Sequence, residues 1–508
     1  MDYQNDISSI NSLIIPHPAL NVKQIGVCCM EKSKNIFGNE IDNASYKKAC
    51  KTQEKSRKKY GDDSGVNYVF REEENETLKN IGVKNLRLSD KPDTHFDESS
   101  LIVGNIRMGY GHYRISIAIA SAAHALGYTP YWLDLNSYPE STATKIIAAQ
   151  NDLYSLGSRI SQKSKAFNKF VWEPINYEGF RKLTYNAPDQ KNAELMVPLL
   201  RNIPKNIPYI ATHAWPAQAA VHAGFEKVVN AIPDNWPMAL HLAEGSIHTV
   251  QTANAYLGYK MLHGMDKKRT LKPMPEGSIV DVGHYIDHEL VSNIEKDCEA
   301  RLKRAKNGAP RRFLLTIGGA GAQQTLFEDI IKFLIPYVKE NKAALLINAG
   351  DHRNVWDSME KNIPELKGLF TAHFNCYEES RKFVEQTEDI RGIHVFCEKE
   401  IFPAVYITNL LLRVCDFVAT KPSELAFYPT PKLMIHRVGG HEMWGAIHTA
   451  EVGDGTYECD KTEDALAMIR EMTESDEILR FMCSNIVRAK NAGLYNGAYE
   501  AVKIAFGK

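Results

Sequence analysis

From Ser99 onward the chain alternates short apolar runs with longer amphipathic stretches, and glycine-bearing turns separate them. Leu101-Ile102-Val103 predicts a strand, Ile115 to Leu126 an alanine-rich helix stopped at Gly127, and Thr129 to Leu135 the next strand. One such βαβ unit implies a right-handed crossover and a parallel sheet. Further strands are predicted at Ile207 to Thr212, Val228 to Ile232 and His248 to Thr252, so a doubly wound domain runs to about His284.

Between Asp287 and Asn307 the period changes. Leu290, Ile294, Cys298 and Leu302 recur every fourth residue as one face of a helix, which ends at Gly308-Ala309-Pro310. The alternation then starts again, with a strand over Arg312 to Ile317, a glycine turn, a helix over Leu326 to Lys339 and a strand over Ala343 to Asn348. Strands at Gly392 to Cys397, Phe417 to Thr420 and Lys432 to His436 follow, and helices from Ile478. The expected class is α/β, with two Rossmann-like doubly wound domains, residues 99–285 and 286–508, facing a cleft.

Residues 1–98 lack this periodicity and read as a separate extension. Their charge clusters by sign: Lys47, Lys48, Lys51, Lys55, Arg57, Lys58 and Lys59, then Glu72, Glu73, Glu74 and Glu76. A solvated helix face or a loop explains such runs more simply than an interaction arm.

Composition narrows the function classes. With 61 Lys plus Arg against 62 Asp plus Glu, the net charge of −1 supplies no general field for nucleic acid. Nine cysteines without C-x-x-C spacing fit free thiols in a reducing cytoplasm. The first residues show no signal-peptide pattern and no window is apolar enough to span a bilayer, so a cytoplasmic protein is expected.

Three segments carry candidate chemistry. Gly104 to Arg114 runs from strand into helix with Gly109, Tyr110, Gly111 and His112 at the turn, where backbone N–H groups suit an oxygen-rich ligand and a neutral imidazole suits a general base. Thr316 to Gln323 holds Gly318, Gly319 and Gly321 in a second strand-to-helix turn, which reads as a diphosphate cradle. That turn fails the dehydrogenase pattern because Gln324 stands in place of the third glycine, and no P-loop or G-x-S-x-G occurs. In the third segment Lys421, Ser423 and Glu424 follow a strand, and Gly440, His441 and Glu442 form a later turn. The carboxylate there suits two ribose hydroxyls.

In order and spacing the three segments resemble the GT-B glycosyltransferases, in particular the branch of monogalactosyldiacylglycerol synthase, the processive diacylglycerol glucosyltransferases and the peptidoglycan N-acetylglucosaminyltransferase. The matching elements are Met108 to His112 with Arg114 and Ser116, Ile317 to Gly321, Thr420-Lys421-Pro422, Glu424-Leu425-Ala426 and Gly440-His441-Glu442. Tyr110 and His441 depart from the glycine and glutamine usual there, and no glycines follow Pro422. The resemblance implies a UDP-sugar donor and no metal or other cofactor. It implies His112 as base toward an acceptor hydroxyl, Gly109 to Gly111 on the acceptor side, and the second domain's residues on the donor. A nucleotide-sugar epimerase or hydrolase and a non-catalytic nucleotide-sugar-binding protein are the alternatives.

Relatives that act on lipids carry an apolar and basic surface. Here Lys163, Lys165, Lys169, Arg181 and Lys182 interleave with Phe167, Phe170, Trp172, Tyr177 and Phe180, which suits a peripheral site on the inner face of a membrane or an amphipathic helix packed on its own core. His213, His222, His241, Glu244, His248, His284 and His288 lack the short repeated spacing of a zinc site and read as scattered polar or loop residues.

Overall fold

A run of six residues buried at every position, Ser100–Asn105, forms the centre of the first sheet. The computed structural model describes residues 31–163, 167–172, 174–317, 323–386 and 388–508. Its strands in chain order are β1 Asn35–Ile36, β2 Asn39–Glu40, β3 Val69–Glu74, β4 Lys84–Ser89, β5 Ser100–Asn105, β6 Thr129–Asp134, β7 Tyr209–Ala211, β8 Val228–Ala231, β9 Ile247–Val250 and β10 Ile279–Asp281. There follow β11 Arg311–Thr316, β12 Ala343–Asn348, β13 Phe370–Phe374, β14 Gly392–Cys397, β15 Phe417–Thr420 and β16 Lys432–Met434.

The eight-stranded first sheet has the order β10-β9-β8-β7-β5-β6-β4-β3, and the six-stranded second has β13-β14-β12-β11-β15-β16. Every pairing in both is parallel except β3 with β4. The doubly wound, two-sheet α/β architecture expected from the sequence is the one observed. Each sheet reverses its winding direction once, between β5 and β7 and between β11 and β15. Such switch points open crevices at the carboxyl ends of the strands, where α/β proteins bind ligands.

The helix Gly111–Ala125 is buried from Tyr113 to Ala123. Being covered on all sides, it is alanine- and isoleucine-rich throughout and not striped. Part of that cover comes from the far end of the chain. The helix Gly497–Phe506 buries Ala498, Ala501, Val502 and Ala505, and Phe506 stacks on Tyr128 at 3.7 Å. The last helix therefore packs with the first sheet, although the sequence reading grouped it with residues 286–508.

The separate extension read for residues 1–98 also needs correction over its described part. β4 pairs with β6 through Lys84 and Asn85, and β3 closes the edge. The acidic run is that edge strand: Glu72 meets Lys84 at 2.7 Å and Glu73 meets Arg87 at 3.3 Å. Charge on an edge strand blocks further pairing, which is why it imitates a solvated loop in sequence. The basic run lies on the helix Asn43–Tyr60, which buries Ala49 and Ser56 and is tied by the Gln53 amide to the Lys191 carbonyl at 2.7 Å.

Candidate active site

His112 sits in the first turn of the helix that leaves β5. Its Nδ1 lies 2.6 Å from the Thr212 carbonyl at the end of β7. A carbonyl only accepts, so Nδ1 carries the proton and the neutral ring keeps a lone pair on Nε2. Burial holds the imidazole below its ordinary pKa, while the Thr212 carbonyl, Asp234 and Glu424 pull it back up and His241 lowers it. The Ser116 and Thr212 hydroxyls meet at 2.9 Å and lock the two turns of the switch point together. His213 packs edge-on against His112 at 5.0 Å, and its Nδ1 accepts the Trp215 N–H at 3.1 Å as cap of the helix Ala214–His222.

Past the end of β8, Asp234 places its carboxylate 2.8 Å from His241 Nε2. The Asp234 side chain is 35% exposed and that of His241 5%, so the imidazole lies beneath and the carboxylate is open. Burial would raise the Asp234 pKa, but His241, His441 and His112 together hold it well below the usual carboxylate range. Asn230, within β8, donates to the His241 carbonyl at 2.7 Å and fixes this loop to the sheet.

Gly318, Gly319 and Gly321 lie outside the described residues. The helix Gln324–Lys339 that follows them is capped by Gln323 at φ 71, a left-handed conformation uncommon for a residue with a Cβ. On the other side of this switch point, Lys421 pairs with the Glu442 carboxylate. Glu442 also accepts from Val438 N at 2.7 Å and Gly439 N at 3.2 Å, so it closes the Gly440–Glu442 turn from within. Burial opposes its charge, and Lys421 and His441 restore it. Ser423 turns the chain into the short helix Glu424–Phe427, its N–H donating to the Lys421 carbonyl at 2.8 Å.

The two switch points meet. Glu424 Oε1 lies 3.4 Å from Nε of buried Arg114, two residues beyond His112. Arg114 also donates to Thr408 Oγ1 at 3.0 Å. A Cβ on Gly111 would stand 3.4 Å from Glu424 Oε2. Glu424 thus reaches across to the first domain. Tyr110, read as an intrusion into a glycine loop, bonds the Asp351 carboxylate and accepts from Asp351 N at 2.9 Å, while Arg107 reaches the same carboxylate at 2.5 Å. Gly350 has φ +60, and a Cβ there would collide with the Tyr110 hydroxyl. Trp236 and Trp444 stack across the seam at 5.5 Å, and Asn235 donates to the Trp444 carbonyl at 3.2 Å. Several buried polar atoms at these elements have no hydrogen-bond partner: both amide atoms of Asn105, Arg114 Nε, both ring nitrogens of His241, His441 Nδ1, Trp236 Nε1 and Trp444 Nε1. Buried polar groups are normally satisfied, so each of these atoms leaves room for a hydrogen bond to a water or a polar ligand.

The structure draws part of the basic and aromatic surface inward. Arg181 lies over Trp236 at 4.3 Å and donates to the His263 carbonyl, Tyr177 stacks on Trp236 at 4.8 Å, and Trp172 occupies the space a Cβ on Gly157 would need. Phe170, Lys182, Leu153, Leu156 and Ile160 are exposed, and Lys165 lies outside the described residues. Among the described residues no helix is long and apolar enough to cross a membrane. The scattered histidines are mostly buried and paired: His284 meets His448 at 2.8 Å and His222 meets Gln190 at 2.8 Å. Among the described residues His436, Glu458 and Asp460 bring ligand atoms within 4.8 Å of one another at the surface, where Arg437 already holds Glu458.

A family model described as a domain of unknown function (DUF6937) matches residues 35–261, and a second, also a domain of unknown function (DUF6938), matches residues 274–506. No curated protein matches the chain. Among solved structures it is similar to the UDP-GlcNAc 2-epimerase of Neisseria meningitidis bound to UDP-GlcNAc, at 10% identity over 80% of this chain and 100% of that one, with a TM-score of 0.42. It is similar to an α,α-trehalose 6-phosphate synthase of Burkholderia multivorans at 10% identity over 80% and 97%, TM-score 0.42. A glycosyltransferase of Rickettsia africae matches at 11% identity over 81% and 98%, TM-score 0.40.

Proposed function

We propose that the seam between the two switch points binds a nucleotide diphosphate sugar, with UDP as the nucleotide, and transfers the sugar to an acceptor hydroxyl. The observation that carries this reading is the fixed tautomer of His112, whose unprotonated Nε2 stands at one switch point while Glu424 from the other reaches Arg114 two residues further on. The acceptor oxygen attacks the anomeric carbon, its proton passes to His112 Nε2, and the bond to the diphosphate breaks with its electron pair leaving on the nucleotide. The glycine turn at Gly318 to Gly321 supplies backbone donors to the diphosphate, Lys421, Ser423, Gly440, His441 and Glu442 frame the nucleotide, and Glu424 accepts from the ribose. Exposed Leu153, Leu156, Ile160 and Phe170 supply an apolar surface for a lipid acceptor.

A second reading, epimerase or hydrolase chemistry on the same donor, is favoured by Asp234 and His241, because such reactions need proton-transfer groups beyond one base and no acceptor. Thermal unfolding with UDP, ADP and GDP and their sugar conjugates tests donor binding. Selective stabilisation by uridine nucleotides, about 2.7 kcal/mol at 100 times the dissociation constant, supports it. The absence of any shift removes the donor site. Product analysis with and without vesicles containing diacylglycerol then separates transfer from epimerisation, and binding without turnover leaves a nucleotide-sugar-binding protein.

A further inference from the structure

The loop after β8 carries Asp234, which the sequence analysis did not single out, and it places a half-buried carboxylate at the same end of the sheet as His112. We propose that Asp234, held in place by His241, is the sugar-recognising group of this seam: a carboxylate that accepts hydrogen bonds from the hydroxyls of a neutral pyranose ring. The proposal rests on the donor reading above and adds the part of the ligand to which this corner answers.

Three observations converge. His241 lies 2.8 Å from one carboxylate oxygen and is itself almost wholly buried, whereas the Asp234 side chain is about one-third open, so capacity to accept remains on the exposed side. The pair is anchored to the first sheet through Asn230, and both imidazole nitrogens are buried without a well-formed hydrogen bond, Nε2 lying 2.8 Å from the carboxylate. Its loop also reaches the opposite domain directly, with the Asn235 amide donating to the Trp444 carbonyl at 3.2 Å and Trp236 stacked on Trp444 at 5.5 Å, so the carboxylate borders the seam between the two domains. An ionised carboxylate repels a diphosphate. The anionic part of a ligand is therefore directed to the second domain's turn, and what lies against Asp234 is uncharged and rich in hydroxyl groups.

The test uses the full chain and Asp234→Asn, which preserves shape and removes the charge. Calorimetric titration compares UDP with UDP-glucose, UDP-galactose and UDP-N-acetylglucosamine. In the native protein at least one conjugate binds more tightly than UDP by about tenfold, the scale of one hydrogen bond to a charged acceptor. Asp234→Asn brings that ratio close to one while leaving UDP affinity in place, and Asp234→Glu recovers part of it. His241→Gln removes the imidazole that lies 2.8 Å from Asp234, so the conjugate-to-UDP ratio falls in this variant as well. In a second arm, free glucose, galactose and N-acetylglucosamine are titrated while the imidazole nitrogens are followed by NMR. Shifts at His241 are expected in the native protein and not in Asp234→Asn. An unchanged conjugate-to-UDP ratio in Asp234→Asn overturns the proposal, as does an imidazole spectrum indifferent to every sugar. Sugar-dependent shifts without any UDP binding would instead sink the nucleotide reading and leave this one standing.

Discussion

The two sheets share one plan, a central strand, a turn into a helix and a reversal of winding, yet their switch points are furnished differently. At the first, side chains supply the chemistry: His112 with its fixed tautomer, His213 against it, and Asp234 over His241. At the second, the described side chains largely satisfy one another, with Lys421 on Glu442 and Glu442 on the Val438 and Gly439 amides. In the reading proposed above, that half holds the nucleotide and the first half supplies the reacting group. Topology thus fixes where a ligand can lie, and the side chains grafted onto each half decide whether that half reacts or holds.

The largest expected effect tests the reactive half. His112→Ala should lower turnover by between about 10²- and 10⁴-fold while leaving nucleotide affinity in place, measured by steady-state kinetics beside calorimetry. Full turnover in the variant would move the reaction elsewhere. As the base proposed above, His112 would act unprotonated, and burial depresses its pKa below the usual histidine value of 6.5 against the opposing pull of Thr212, Asp234 and Glu424. The acid limb of the rate profile should therefore fall below that pH, and further below it in Asp234→Asn.

The joint between the halves comes next. Arg114→Met leaves Glu424 and Thr408 without their buried partner and should cost about 3 kcal/mol in urea unfolding. A loss under about 0.5 kcal/mol, the usual range for surface changes, would show that the pair does not couple the domains.

A pH-dependent effect is carried by the first half alone. Asp189, on the helix Leu183–Glu194 of the first half, is 5% exposed, and burial pushes its carboxyl up to about 7 against the pull of Trp215. Between about pH 4 and 7 the unfolded chain has released this proton and the folded chain has not, so stability falls as pH rises. Asp189→Asn removes that slope, and its melting temperature should exceed the native protein's by more at pH 8 than at pH 5. Equal differences at both pH values would mean the carboxyl is not held protonated. The smallest effect concerns the clasp: Tyr110→Phe removes the hydroxyl that bonds Asp351 and should cost about 1 kcal/mol. Small-angle scattering of that variant would show whether the seam opens.

Strand placement was legible where strands are buried on both faces, because a continuous apolar run between turns has few other readings. Ala343 to Asn348, Gly392 to Cys397 and Phe417 to Thr420 coincide with β12, β14 and β15. β10 escaped because it is short, β13 because it buries only His373, and β3 because its charge is that of a guarded edge. The turns of the site could be read locally from glycine and histidine. Their partners could not: Tyr110 and Asp351 are 241 residues apart, and Arg114 and Glu424 belong to different domains. No periodicity marks a contact made between folded halves. Asp234 and His241 are close in sequence, but a proline-bearing loop offers no pattern that separates a paired carboxylate from a solvated one.

The last helix also orders events in time. Gly497–Phe506 covers the alanine-rich helix behind β5, yet it is synthesised after the whole second sheet. At about 5–20 residues per second, the first sheet must wait roughly ten to forty seconds on the ribosome with that flank uncovered. During synthesis the exposed alanine and isoleucine surface is a natural place for a chaperone to hold the nascent chain, and the first half reaches its final stability only when the second has been made.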